Sequence, residues 1–188
     1  LPTAIAACMH SKGDFGHNCV GHLKFGRSGR LKIRCWKTVG HGSLSLTSAI
    51  QRSCNPYFMQ LSTELGNERM ANAFDMLNLG RATGVKLPAE DRGIIPGSEW
   101  WRRELHPGES MTPARMAMLA IGQDESEATP LQLAALTACI ANGGKYYRPR
   151  IIKMVVDPKE GILISDIPEL RVDLVTEGMD SAQFCLLY

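Results

Sequence analysis

Apolar residues recur at helical spacing over several stretches of this chain and alternate over one short stretch near its end. Residues 2–10 have almost no polar face and read as the tail of a buried helix. Residues 46–52 read as a short helix. Tyr57, Phe58, Leu61 and Leu65 form an apolar stripe, with Asn55 as N-cap, Pro56 at the first helical position and Gly66 just past the end. Asn67 caps a further helix that runs through Phe74, Leu77 and Leu79 to a stop at Gly80. Thr129-Pro130-Leu131-Gln132 is a capping box with proline at the first position. The helix behind it carries Leu133, Leu136 and Ile140 and ends at Asn142-Gly143-Gly144. Residues 151–156 alternate and predict a strand. Asp157-Pro158-Lys159-Glu160-Gly161 predicts a turn, and Ile162 to Ile164 a returning strand. Residues 85–103 read as an extended loop punctuated by Pro88, Gly93, Pro96 and Gly97.

Composition narrows the classes. The chain has 188 residues, 44% hydrophobic and 21% charged, as expected of one globular domain with a real core. The net charge of +2, with no basic stripe carrying interleaved aromatics, excludes a nucleic-acid reading. No apolar run is long enough to span a bilayer. The start lacks a Met and a basic n-region, so no signal peptide is read.

The six cysteines fall into different settings. Cys8, Cys54 and Cys139 sit in helix-patterned apolar runs and read as small buried hydrophobes. Cys19 and Cys35 flank the glycine-rich segment around Gly26-Arg27-Ser28-Gly29-Arg30, where a hairpin would bring them close enough to bridge. His17, Cys19, His22 and Cys35 are also metal-ligand types, but their spacing matches no strong zinc pattern. A disulfide or free thiols rank above zinc.

Ser53-Cys54-Asn55 lies at the junction of two helix-patterned segments. A hydroxyl and a carboxamide at i and i+2 of a tight turn can face one cleft, the first to relay a proton and the second to hold a carbonyl. Capping alone would explain Asn55 equally well, and Ser53 alone reads as a helix-end hydroxyl. The flanks change that balance. They comprise His41-Gly42-Ser43, Pro56-Tyr57-Phe58, Thr83-Gly84-Val85-Lys86-Leu87-Pro88-Ala89-Glu90, Ile121-Gly122-Gln123, Ala128-Thr129-Pro130-Leu131-Gln132 and Asn142-Gly143-Gly144. Together they resemble the class B penicillin-binding proteins, the peptidoglycan D,D-transpeptidases, in the order seen in the elongation, or rod-shape, branch.

That family uses Ser-x-x-Lys, Ser-x-Asn and Lys-Thr-Gly in chain order. Only the middle motif occurs here: no serine has a lysine three positions on, and Lys37-Thr38-Val39-Gly40 is neither the right motif nor in the right order. Residues 1–188 therefore resemble a partial transpeptidase domain lying between the two absent motifs. The opening residues resemble the helix after the nucleophile, and residues 172–179 the helix before the third motif. The resemblance implies an α+β, beta-lactamase/transpeptidase-like fold, of which this segment is mainly the helical lobe with few strands. It assigns Ser53 and Asn55 to the catalytic site and makes His41 structural. It implies no metal or organic cofactor. The implied partners are the D-Ala-D-Ala stem peptide and beta-lactams, within a membrane-anchored protein on the extracytoplasmic side that belongs to a cell-wall synthesis complex. Missing sheet strands should leave an apolar surface prone to association. Two other classes remain: a catalytically inactive binding module that keeps the cleft, and a zinc-stabilised interaction domain.

Overall fold

The computed structural model describes residues 1–10, 15–25 and 31–179. Six α-helices and eight short strands follow one another as α1 (Pro2–Met9), β1 (His17–Cys19), β2 (His22–Phe25), β3 (Leu31–Arg34), β4 (Gly42–Leu44), α2 (Leu46–Gln51), α3 (Asn55–Leu65), α4 (Asn67–Met76), α5 (Pro113–Leu119), α6 (Pro130–Ala141), β5 (Lys145–Tyr147), β6 (Met154–Asp157), β7 (Gly161–Ser165) and β8 (Leu170–Asp173). The strands form four antiparallel pairs: β1 with β4, β2 with β3, β5 with β8 and β6 with β7.

Helix α3 is the centre of the packing. Its Tyr57, Met59 and Leu61 are fully buried, and it lies against α1, α4, α5 and the β1–β3 strands. Helix α1 is buried on all sides from Thr3 to Cys8, as its unbroken apolar sequence requires. Tyr57 reaches out of the core to donate its hydroxyl to the Phe15 carbonyl at 2.6 Å. That bond satisfies the one polar atom on an otherwise buried ring.

The capping box of α6 forms as read: the Thr129 side chain accepts from the Gln132 amide, and the Gln132 side chain accepts from the Thr129 amide at 2.8 Å. The β6–β7 hairpin also forms, although β6 starts at Met154 rather than at residue 151. The hairpin expected between Cys19 and Cys35 exists as β2–β3, with His22 opposite Arg34. Its turn at residues 26–30 lies outside the described residues.

Several expectations are corrected. Cys54, in extended conformation, occupies the N-cap of α3, and Asn55 is the first helical residue. Gly66, at φ 81°, ends α3 and starts α4 in one step, so Asn67 is inside α4 rather than its cap. Helix α4 stops at Met76, before Leu79, because Asn78 takes a left-handed turn at φ 55° and the Leu79 amide returns to the Phe74 carbonyl at 3.0 Å. The extended loop closes in a π-helical turn, Trp101–Leu105. Helix α5 went unread, although Thr112-Pro113 repeats the start signal of α6 and the Thr112 side chain accepts from the Arg115 amide. Val172 and Asp173 belong to strand β8, which is followed by a turn, in place of the expected helix.

The β6–β7 hairpin carries an exposed apolar surface. Val156, Ile162, Leu163 and Ile164 are all more than half exposed there.

Candidate active site

Helix α2 ends on an uncommon residue. Its last turn closes with the Ser53 amide bonded to the Ile50 carbonyl at 3.1 Å and the Cys54 amide to the Ala49 carbonyl at 3.0 Å. This is the bond pattern of a Schellman cap, whose left-handed position normally holds glycine. Here Ser53 holds it, at φ 47°. A β-carbon in that conformation costs about 1–2 kcal/mol. The strained position turns the Ser53 hydroxyl out to solvent, and two residues later Asn55 opens α3 half-buried.

Both side chains line one open cleft of about 780 Å³. Its other walls come from the first turn of α1 (Leu1 to Ala4), from Phe58 on α3, and from the Ile121-Gly122 corner behind α5. Gly122, at φ 73°, shapes that rim. Among the described residues, neither the Ser53 hydroxyl nor the Asn55 carboxamide makes a hydrogen bond, and no side chain caps α3. The cleft thus presents a hydroxyl and a carboxamide with unspent hydrogen-bonding capacity.

The turn is strapped from behind. The Trp36 indole donates to the Arg52 carbonyl at 2.9 Å, and the Arg52 guanidinium donates to the His41 carbonyl at 3.3 Å. The Trp36 ring meets His41 edge to face at 5.1 Å. The segment before β4 is therefore tied to the residue that precedes Ser53.

Beneath the turn, Cys19, Cys35, His41 and Cys54 are buried with their donor atoms all within 4.8 Å of one another. Two glycines make this possible. A β-carbon on Gly21 would lie 2.0 Å from the Thr38 carbonyl oxygen, and one on Gly40 would lie 2.1 Å from the Cys19 carbonyl oxygen. Only bare backbone lets residues 19–21 and 38–40 approach so closely. The Cys35 amide donates to the Gly21 carbonyl at 2.8 Å, fixing the third strand of the arrangement.

The cysteines Cys19 and Cys35 are close, as expected, but carry free thiols. The metal-type set is also not the one suggested by the sequence. His17 instead stacks on Phe15 and meets Tyr57 edge to face, and the other members are His41 and Cys54. The family resemblance makes His41 only structural, and the apolar run around Cys54 makes it only a small buried hydrophobe. Strand pairing β1–β4, which carries Gly42 opposite Cys19, is the missing information.

Burial pushes the Cys54 thiol up to about 12. Burial pushes Cys19 the same way, but hydrogen bonds from the His41 and Gly21 backbone and from the Cys54 and Cys35 thiols outweigh it and hold Cys19 below its ordinary value. Burial, and then the charges of Lys37 and Arg52, keep His41 below the usual histidine range, hence neutral. His41 Nδ1 lies 3.5 Å from Cys35 Sγ, and its Nε2 is buried with no hydrogen-bond partner among the described residues.

The far wall of the cleft is held by polar buttresses. Ile94 pairs with Glu127, and Gly93 sits so close that a β-carbon would fall 2.4 Å from the Glu127 carbonyl oxygen. Fully buried Gln132 donates to the carbonyls of Arg81 and Arg92, both at 2.8 Å. Trp101 is fully buried under its loop, stacked on His106, and donates to Glu125 at 3.1 Å. Asp124 and Glu125 both pair with Arg115, at 3.1 and 2.8 Å.

The fold is a helical lobe with few strands that carries Ser-x-Asn on the turn between two helices, at the mouth of a cleft. The comparisons agree. Residues 13–182 match the model of the penicillin binding protein transpeptidase domain, and the chain belongs to that family. It is 36% identical over 126 residues to peptidoglycan D,D-transpeptidase MrdA of Acinetobacter baumannii, covering 65% of this chain and 18% of the relative. It is 36% identical over 127 residues to stage V sporulation protein D of Bacillus subtilis, covering 68% and 18%. The PBP2 of Pseudomonas aeruginosa, solved in complex with WCK 5153, superposes with a TM-score of 0.80 at 26% identity over 99% of this chain and 39% of that one. The PBP2 of Helicobacter pylori, solved in complex with MreC, gives 0.76 at 25% identity over 99% and 32%. The fold is that of the α+β transpeptidase domain, and the MrdA and PBP2 relatives make the chain a piece of a class B penicillin-binding protein's transpeptidase domain. The chain spans about a fifth of the length of the curated relatives it matches.

Proposed function

We propose that this chain supplies the middle wall of the active site of a peptidoglycan D,D-transpeptidase. The observation that carries the reading is the shared cleft: Ser53, Asn55 and the first turn of α1 line the same cavity. In the family pattern the nucleophilic serine and its lysine immediately precede the α1 helix. That places the attack on the D-Ala-D-Ala carbonyl at the same mouth. The serine oxygen bonds to the carbonyl carbon, the peptide bond to the terminal D-Ala breaks, and the leaving nitrogen takes up a proton. Ser53, exposed and without a hydrogen-bond partner among the described residues, would relay that proton. Asn55 is placed to hold the donor peptide's amide and to orient the lysine. An amine of a neighbouring stem peptide then displaces the serine, forming the cross-link and regenerating the enzyme. Beta-lactams acylate the same serine.

The same reading puts the protein at the extracytoplasmic face of the cell membrane, in a complex for wall synthesis. The H. pylori relative solved with MreC supports such a setting. Among the described residues, no helix is long and apolar enough to cross a membrane.

Fluorescent-penicillin labelling of the full-length protein tests the proposal. Asn55→Ala should slow acylation by about 2–3 kcal/mol, as for the loss of one positioned hydrogen-bonding group, without moving the melting temperature much. Wild-type labelling rates in Asn55→Ala would remove Asn55 from the site. No labelling of the wild-type protein at all would favour the catalytically inactive module.

A further inference from the structure

We propose that the outward face of the β2–β3 hairpin, with Trp36 beside it, is a binding surface outside the cleft for a carboxylate-bearing glycan strand. The polymer whose stem peptide enters the cleft is thereby held along its length. The choice of occupant rests on the transpeptidase reading.

The charge distribution points to this surface first. The whole chain is nearly balanced, with 21 basic and 19 acidic residues. Yet no Asp or Glu occurs from Phe15 to Thr63, a stretch that holds Lys24, Lys32, Arg34, Lys37 and Arg52. Strand register concentrates the charge. His22 lies opposite Arg34 and Lys24 opposite Lys32, and because strand side chains alternate, all four share one face. Leu23, opposite Ile33, and Phe25 take the other face. Helix α3 packs against both strands. Leu23, Phe25 and Ile33 are half-buried, whereas Lys24, Lys32 and Arg34 are exposed, so the hairpin rests on its apolar face.

The protein leaves these charges unmatched. Like charges directly opposite one another destabilise a strand pair. Among the described residues, none of Lys24, Lys32, Arg34 and Lys37 forms an ion pair. Elsewhere the cations are matched: Arg81, Arg103, Arg115, Arg148 and Arg171 each meet a carboxylate. A bound polyanion would remove the repulsion that the hairpin register creates.

Trp36 narrows the kind of polyanion. It is 65% exposed, yet its ring is held. The indole donates to the Arg52 carbonyl at 2.9 Å, and the ring meets His41 edge to face at 5.1 Å. An aromatic ring fixed in solvent is a platform on which the apolar face of a sugar ring can stack, and little side-chain freedom remains to be lost on binding. A soluble phosphate polymer would use the charges and leave the ring idle. Of the polyanions that bring rings as well as charge, a glycan strand with its stem peptides is the one that the transpeptidase reading places at this mouth.

The position suits the reaction. Arg34 stands two residues before Trp36, Trp36 is bonded to Arg52, and Arg52 precedes Ser53, which lines the cleft. Four residues of strand span roughly 13 Å, room for more than one carboxylate. A glycan lying along the hairpin can therefore offer one stem peptide to Ser53 and Asn55 while the carboxylates of its neighbours meet Lys24, Lys32 and Arg34.

The test uses the full-length protein with its cleft filled by penicillin, and soluble uncross-linked glycan strands that keep their stem peptides. The filled protein should still bind the strands. The double variant Lys24→Gln with Lys32→Gln should bind them tenfold or more weakly, with a shallower dependence of log Kd on salt. That variant removes an opposed like-charge pair, so it should fold at least as stably as the wild type. It should take up penicillin at the wild-type rate, because the drug stays in the cleft, while its cross-linking of strands falls. Strands whose carboxylates are blocked as amides should bind the wild type no better than free strands bind the double variant. Equal binding by wild type and double variant, or of free and amidated strands, overturns the surface. Tighter binding to poly(glycerol phosphate) or to vesicles of anionic phospholipid than to the strands overturns the glycan as occupant. Penicillin labelling without strand binding overturns the surface and leaves the transpeptidase reading intact. Strand binding that the double variant loses, in a protein that penicillin never labels, sinks that reading and leaves the surface standing.

Discussion

The Cys54 amide donates to the Ala49 carbonyl at 3.0 Å, and this bond closes α2 over a left-handed Ser53. A glycine at Ser53 would relieve about 1–2 kcal/mol of backbone strain. It would also lose about 0.5–1 kcal/mol through the freer unfolded chain. Ser53→Gly should therefore be as stable as the wild type or about 0.5 kcal/mol more so, whereas Ser53→Ala, which keeps the strain, gains nothing. Both should acylate slowly with penicillin in the full-length protein. Chemical denaturation and labelling on the same samples separate the two effects. A strongly destabilised Ser53→Gly would mean the turn is not strained.

Gln132 replaces what would otherwise be unpaired backbone in the cleft wall. Its carboxamide nitrogen serves the carbonyls of Arg81 and Arg92, and its oxygen serves the Thr129 amide. Gln132→Leu has nearly the right volume but strands all three groups, so a loss of about 3 kcal/mol is expected. Gln132→Glu keeps the capping acceptor and loses only the two donors, and it must bury a charge or take up a proton. Its stability should fall further as pH rises, which thermal melts across pH would show. Equal stability of wild type and Gln132→Leu would refute the buttress.

Glu90 gives the fold an acid-labile joint. Burial pushes its carboxyl up. The Thr83 hydroxyl and the amides of Thr83, Gly84 and Val85 together outweigh burial and hold it below its ordinary value of 4.5. Two of those amide bonds measure 2.6 and 3.0 Å. A depressed folded-state value means the stabilisation is present above the unfolded value. It is lost as pH falls below 4.5 through the folded one. The wild type should lose more melting temperature than Glu90→Gln between neutral pH and about pH 3. Parallel curves would show that the Glu90 cradle contributes nothing.

Much of this was legible in the sequence where local signals decide the structure. The Thr129-Pro130-Leu131-Gln132 box is local, and it formed as read. The Ser53–Asn55 pair was legible because its flanks carry the family's pattern, and both residues line one cleft. What failed was non-local. Cys54 is buried as expected, but the donor atoms around it lie on segments brought in by the β1–β4 pairing and by two glycines whose contacts are with distant backbone. The cap of α3 was misread because the Schellman bonds of the preceding helix claim Cys54 first. Nothing local announces that Arg115 will reach Asp124 and Glu125, or that Trp101 will reach Glu125.

The 188-residue chain itself should not be acylated by penicillin, although it carries the cleft. An acyl-enzyme needs a hydroxyl with a base in hydrogen-bond reach. Ser53 has no such partner among the described residues. Its neighbour Cys54 is buried, with its thiol pushed up to about 12, and points away into the thiol cluster. No serine in the sequence is followed by a lysine three positions on. A longer protein that supplies Ser-x-x-Lys before α1 and Lys-Thr-Gly after β8 should label stoichiometrically, because the cleft then receives both nucleophile and base. Intact mass after incubation with a fluorescent penicillin decides between the two. Stoichiometric adduct on the 188-residue chain would show that Ser53, or another serine here, is the nucleophile and that the proposed order of the site is wrong.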